Sequence, residues 1–454
     1  MKYIITIFGI LIITACSFDD KTGIWKDASS VPLEIKNKKS INENISNNKY
    51  ENLFTKNKIY SEEKNTPLNT VLNLDAPINF DDWLEEYGNS SNNVSNFLYE
   101  GNKLLVSKSR RLSKLSLNNK IIFYKDNLIS HDHKGKIFIY SPDLKKKIFE
   151  FDFYKKKFKR FQKDIYIAVN KNTLYAADNL GYIYAINLRS MSLIWAKNYG
   201  IPFRSNITIA DDQIFLANQD NEIFSINTKT GDKNWQFSTS LTFLKSYYVN
   251  NFVVDKINKN IFFLNTSGEL YSINYVSNNV NWLINFKNSS SKDATDATLF
   301  LSQPIILKNN NLIISTNKAI LSYNSLNASK IWNFTSNTNL KPILTTNFTY
   351  IFSKNDLLIC LDNLSGKVIW SKNIYKDFDG KKIKKKIGVL SDLKIANSQI
   401  NLFSTNGYLL SFNHKNGNLE YMKKISKNGI NSKIIYLKSN MFLIDGANKL
   451  LRFN

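Results

Sequence analysis

From about residue 95 to the C-terminus, short runs of Ile, Phe, Tyr, Leu and Val alternate with clusters of Asn, Asp, Gly and Ser. No long stretch carries a 3.6-residue period. The pattern predicts strands and tight turns throughout, an all-β chain. One pattern also recurs at a fixed spacing. Residues 181–187 read GYIYAIN, and Trp195 stands eight residues after the closing Asn. The same frame returns at 221–227 with Trp235, 268–274 with Trp282, 318–324 with Trp332, and 356–362 with Trp370, an Asp closing the last. Weaker copies sit at 135–141, with Phe149 in the tryptophan slot, at 407–413, with Tyr421, and at 448–454, where the chain ends.

Eight such units, starting 38 to 51 residues apart, have the spacing of four-stranded blades. Each reads as two strands meeting at a turn, with Gly181 or Gly268 supplying a positive φ. The fifth motif residue is small (Ala185, Ser225, Ser272, Ser322, Ser411), and Cys360 takes the same slot. Cys360 is therefore expected to be a packed core residue, and the tryptophans to pack each blade on the next. A row of sheets must hide its two open ends, and a ring does so by closing. The expectation is an eight-bladed β-propeller of four-stranded antiparallel blades over residues 76–454. The last unit lacks its outer strand. The stretch 78–83 is the candidate to supply it, with Trp83 as the eighth slot residue.

The N-terminus differs. A charged start, the apolar run 4–13 and Thr14-Ala15-Cys16 describe an export signal over residues 1–15. The apolar run is too short for a comfortable membrane span of about 20 residues. A cysteine directly after the small residue resembles the lipobox of bacterial lipoproteins. This implies cleavage before Cys16 and a lipid on it, and Ser17, with no Asp following, implies the outer membrane, periplasmic face. Residues 16–75 are poor in apolar side chains and rich in Asn, Lys, Glu and Ser, which reads as a lipidated N-terminus and flexible tether.

The net charge of +24 would suit nucleic acid. The excess is mostly Lys accompanied by many Asn and Ile, and export removes the chain from nucleic acid. The runs 145–147 and 381–386 read as charged, solvated loops. Candidate chemistry is thin. His131 and His133 share a turn, where they read as solvated, and no cysteine assists them. No Ser-His-Asp arrangement, HExxH, GxGxxG or Walker motif occurs, so no catalytic residue, cofactor or metal ligand is named.

The repeat, with its Asn/Asp and its Trp eight residues on, resembles the PQQ-type β-propeller repeat. Signal, lipobox and eight repeats together resemble the BamB family of outer-membrane β-barrel assembly lipoproteins. That resemblance implies a non-enzymatic scaffold that binds the membrane-embedded barrel-insertion protein and assists unfolded barrel precursors. The family's contact loop, between the second and third motifs, corresponds here to Ile201, Phe203 and Arg204. A second contact position, an arginine in the family, is Glu222 here, and an acidic pair has no match around Lys245-Ser246. Read from the residues alone, Ile201, Phe203 and Arg204 admit two roles: an exposed anchor beside a cation, or the start of the next strand facing the core. An independent propeller scaffold or sensor of the envelope is the alternative function. Quinoprotein dehydrogenases share the eightfold plan, but this chain has no adjacent cysteine pair and no calcium-type acidic cluster. Asp293 and Asp296 are its nearest acidic loop pair.

Overall fold

A computed structural model describes residues 16–19, 24–27, 48–50 and 59–454, except 69, 155–157, 159, 241–248, 287–299, 317, 377 and 379. The expected signal lies outside the described residues. Cys16–Asp19 and Ile24–Asp27 form a two-stranded antiparallel ladder in a unit of their own. The rest of the described chain builds eight four-stranded antiparallel blades: blade 1 (122–151), blade 2 (165–198), blade 3 (208–238), blade 4 (251–285), blade 5 (306–334), blade 6 (343–373), blade 7 (390–424) and blade 8 (435–453, with Leu105–Lys108). The first strands of neighbouring blades touch around the central axis, so each blade runs outward in chain order. Among the described residues the one α-helix is α1 (Gly380–Ile387), between blades 6 and 7. The lysine run expected as a loop thus takes helical form, with Ile387 buried beneath it and Lys384 paired with Asp356.

The repeat has a physical reading. The small fifth residue lies directly across the ladder from the slot tryptophan: Ala185 opposite Trp195, Ser225 opposite Trp235, Ser272 opposite Trp282, Ser322 opposite Trp332, Cys360 opposite Trp370. Directly opposed side chains are only about 5 Å apart, so the indole leaves room for little else. Cys360 is fully buried, as its slot requires. Each indole N–H then donates to the next blade, from Trp195 to the Thr228 carbonyl (3.0 Å), Trp235 to Tyr275 (3.2 Å), Trp282 to Ser325 (3.1 Å), Trp332 to Asn363 (2.8 Å) and Trp370 to His414 (3.1 Å). Every acceptor is the residue just after the next motif's Asn or Asp. That side chain shapes the following turn: Asn187 Oδ1 accepts from the N–H groups of Arg189 and Ser190, and Asn227 repeats this with Lys229 and Thr230. The turn brings the fourth residue after the Asn or Asp into the left-handed region against the previous blade's indole. At Gly231 a Cβ would lie 2.5 Å from Trp195, and at Gly417 2.4 Å from Trp370.

Ring closure departs from expectation. The strand that completes blade 8 is Leu105–Lys108, antiparallel to Leu450–Phe453. Ser107 stands opposite Arg452, so the eighth slot holds a serine and Trp83 does not fill it. Trp83 lies on the axis instead, fully buried and bridged to Phe123 of blade 1's innermost strand.

Residues 78–97 form a plug that visits every innermost strand in ring order. The N–H of Lys438, just after the blade 8 strand, donates to the Phe80 carbonyl (3.0 Å), Val169 to Leu84 (2.9 Å), Val254 to Ser90 (2.9 Å) and Leu307 to Ser91 (3.1 Å). Trp83 and Phe123 exchange two backbone bonds, and Phe97 N–H donates to Ile395 O (2.8 Å). Asn92 Nδ2 reaches the carbonyls of Phe252 and Ile305, while Asn93 exchanges amide bonds with Leu344. Innermost strands leave backbone groups without a ladder partner, and burying them unpaired is costly. The plug pairs with them at the C-terminal ends of these strands and shuts that mouth of the channel.

From Asn48 on, the described part of the stretch expected as a free tether is docked. Asn48–Tyr50 adds a parallel strand to the outer edge of blade 4. Tyr60 N–H donates to Thr335 O (2.9 Å), Lys64 and Ser371 exchange backbone bonds, and Leu72 is buried with its carbonyl 3.1 Å from His414 Nε2. The strap therefore crosses the edges of blades 4, 5, 6 and 7 before turning in to the axis.

Within the plug, Glu85 is buried with Oε1 3.5 Å from the Ile209 N–H. Burial pushes its carboxyl up to about 7, with Lys256 opposing. A raised acid keeps its full stability below the unfolded pKa and loses it as pH rises through 7, a cost of about 3 kcal/mol above neutrality. Glu85→Gln is expected to raise the unfolding free energy at pH 8 by about 2–3 kcal/mol and leave it nearly unchanged at pH 4. Urea unfolding at the two pH values checks this, and equal shifts at both would contradict it. Deleting residues 104–109 is expected to abolish cooperative unfolding, because an open ring exposes both edges of the final seam.

Candidate functional site

The loop between blades 2 and 3 is built from the residues expected to bind a partner. Pro202 O accepts from Gln219 N–H (2.9 Å), Phe203 N–H donates to Asp178 O (3.1 Å), and Arg204 N–H donates to Ala217 O (2.8 Å). Ser205 Oγ accepts from Ala217 N–H at 2.7 Å. Phe203 is fully buried between Tyr199 and Phe224, with ring centroids 5.8 and 6.2 Å away. Arg204 is buried too, while Ile201 and Pro202 keep partial exposure.

The exposed-anchor reading of Phe203 and Arg204 is corrected here. Phe203 is a repeat position, bridged to Asn218 as Leu117 is to Asp132, Ser302 to Thr316, Thr338 to Ser353 and Ile430 to Asp445. It leads into the next blade, and its apolar ring fills the seam. Arg204 sits with Asp164 and Tyr166 towards the axis, where its charge helps hold the Asp164 carboxyl below the usual carboxylate range. Of the three candidates, Ile201 alone meets solvent. Beside this loop Glu222 is held by Asn218 Nδ2 (2.7 Å), Gln236 Nε2 (2.8 Å) and Ser238 Oγ (3.0 Å), so this acidic position is a fixed polar node.

Of the two histidines expected to be solvated in a turn, His133 is half-exposed in one and His131 is not. His131 is fully buried in the second strand of blade 1, and burial pulls its pKa down to about 4. His133 Nδ1 lies 3.0 Å from Gln162 Nε2. His414 is clamped between the carbonyls of Ser398 and Leu72 at 2.7 and 3.1 Å, fastening the strap to blade 7. Among the described residues no three His, Cys, Asp or Glu side chains gather to hold a metal ion. Asp293 and Asp296 lie outside the described residues, as do Lys245 and Ser246.

The axis carries what motif reading missed. Buried or half-buried cations face inward around the axis: Lys341, Lys433, Lys120 and Arg204 away from the plug and Lys394 against its Trp83 and Phe97 rings, with Asp392 and Asp164 as carboxylates. No short motif marks them. Only the bridge positions, compared blade by blade, align them.

A family model described as outer membrane protein assembly factor BamB matches residues 146–373. Among solved structures, BamB from Moraxella catarrhalis superposes with a TM-score of 0.60 at 11% identity, covering 77% of this chain and 99% of that one. A europium-containing methanol dehydrogenase gives 0.58 at 11% identity over 80% of this chain and 89% of that one. A quinohemoprotein alcohol dehydrogenase from Comamonas testosteroni gives 0.60 at 8% identity, over 82% and 80%. At such identities these likenesses establish the fold. The sequence matches no curated protein.

Phe203→Ala is expected to cost about 3–5 kcal/mol of stability, the range for truncating a buried aromatic. Chemical denaturation checks this. An unchanged midpoint would return Phe203 to the surface.

Proposed function

The chain belongs to the outer membrane protein assembly factor BamB family, and from that premise we propose that it is a non-enzymatic lipoprotein scaffold of outer-membrane protein assembly. In this reading Cys16 carries the lipid, the propeller stands at the periplasmic face of the outer membrane, and its partner is the membrane-embedded barrel-insertion protein, with unfolded barrel precursors as further clients. The observation that carries the proposal is the family match across 146–373, which spans all five tryptophan slots. The plug supports it: one mouth of the channel is occupied by the chain's own residues 78–97, so the outer surfaces and loops are what a partner meets. Dehydrogenases share the eightfold plan, and the family match is what favours the scaffold over them.

Docking centres on the blade 2–3 loop, with Ile201 and Pro202 as its solvent-facing apolar residues and Phe203 as the buried support that fixes their position. Ile201→Glu is expected to weaken co-purification with an integral β-barrel partner at least tenfold while leaving the melting temperature unchanged, since a charge facing an apolar contact is left unpaired. Gentle detergent extraction, pull-down and mass spectrometry read the partner. Recovery of a cell-wall enzyme or a signalling protein as the dominant species would instead favour an independent envelope scaffold. Cys16→Ala is expected to remove the diacylglyceryl and acyl mass from membrane-extracted protein. A mature N-terminus elsewhere, without lipid, would refute the anchor.

A further inference from the structure

The innermost positions of the ring are unequal in charge. Five blades carry an isolated bridge just before their first strand, at Leu117, Phe203, Ser302, Thr338 and Ile430. Three residues on from each, the chain places Lys120 in blade 1, Asn206 in blade 3, Ile305 in blade 5, Lys341 in blade 6 and Lys433 in blade 8. Blade 7 adds Lys394 from within its first strand. Blades 6, 8 and 1 therefore each direct a lysine to the axis at the end away from the plug, and blade 7 between them sets Lys394 against the plug, its Nζ 5.9 Å from the Trp83 ring and 5.8 Å from the Phe97 ring, while blades 3 and 5 direct an amide and an alkyl group.

Counter-charge on this side is scarce. Lys120 is matched by Asp164 at 3.3 Å and lies over the Tyr166 ring. Lys341 and Lys394 share Asp392. Its Oδ2 is 3.6 Å from Lys394 Nζ and also accepts from the Ile434 N–H at 3.0 Å. Lys433 Nζ donates to the Ser391 carbonyl (3.0 Å), and the charges of Lys394 and Lys433 both bear on Lys341. From the plug, Tyr87 faces Asp392, and Glu86 is directed to Tyr87 and Tyr166. Burial and then the neighbouring Lys394 pull Lys341 down to about 7. Lys341 and Tyr87 nonetheless retain solvent-accessible surface deep in the ring, so they line open space. Lys341, Lys394 and Lys433 on one side, with Asp392 beside them and Glu86 turned towards Tyr166, leave positive charge in excess in a space that solvent reaches, which is costly inside a protein.

We propose that this cationic half-ring binds a small free oxyanion carrying two negative charges, of the sulfate and phosphate class, admitted from the channel end away from the plug. The lysines act as point charges on rotatable stems, suited to a compact anion with several acceptor oxygens.

The test is isothermal titration of the full chain with sodium sulfate, whose charge is constant between pH 6 and 8, at ionic strength held fixed with sodium chloride. One saturable site is expected, binding about tenfold more tightly at pH 6 than at pH 8, because Lys341 must carry its proton to contribute. Lys341→Met is expected to weaken binding at least tenfold and to remove that pH dependence. A surface control, Lys146→Met in the outer strand of blade 1, should bind like the parent. Folding is read separately. Without anion, Lys341→Met should melt above the parent at pH 6, and sulfate should raise the melting temperature of the parent only. Equal binding by parent and Lys341→Met, or no saturable heat, would overturn the site and leave only general attraction to a basic chain. Binding to phosphatidate vesicles without binding to free sulfate would overturn the free-ion assignment.

Discussion

The fold rests on one contact repeated five times, an indole N–H given to a backbone carbonyl of the next blade. The bond is modest by itself, about 1 kcal/mol net, but it fixes several things together. It sets where the slot tryptophan must sit, which requires a small residue across the ladder. It needs an acceptor presented at the end of the neighbouring motif, which the Asn or Asp turn supplies. It also presses the indole against that turn, where Gly231 and Gly417 leave no space for a Cβ. The recurring sequence is thus the written form of one interface between neighbouring sheets.

The seams without a tryptophan fall together, around the closure. Blade 7 has Tyr421, blade 8 Ser107 and blade 1 Phe149. The chain's own arm compensates at one of them. On leaving the axis it crosses between blades 7 and 8, where Tyr99 lies 5.3 Å from the Tyr436 ring, Lys103 sits 4.3 Å over Tyr421, and Lys103 Nζ donates to Gln399 Oε1 at 2.7 Å. Regular blades use a side chain as the wedge. The closing blade uses a stretch of main chain.

What was legible in the sequence was what repeats. Motif, slot and turn gave eight blades because the same interface imposes the same residues each time. The closing strand was not legible, since Leu105–Lys108 carries no tryptophan to mark it, and the nearest tryptophan drew attention to Trp83. The plug pairs with the blades through backbone groups and the amides of Asn92 and Asn93. Main-chain pairing of that kind leaves no hydrophobic period to mark it. Phe203 misled because a lone aromatic beside a cation looks the same at a surface as at a bridge position. The axial lysines are separated by 39 to 313 residues in sequence and become neighbours only when the circle is complete.

The arm that seals the axis also bears on the order of synthesis. Residues 78–108 leave the ribosome before any blade exists. Their partners run from Phe123 to Phe453, so the closing strand has nothing to pair with until the last residues have arrived. Such contacts, separated by more than 300 residues, are among the slowest to form because loop closure must be met before they contribute. The first-made part of the propeller is therefore the last to find its place. During that interval the nascent chain carries two open sheet edges and an unfilled axis, the state in which unpaired strands are most open to pairing with the wrong partner.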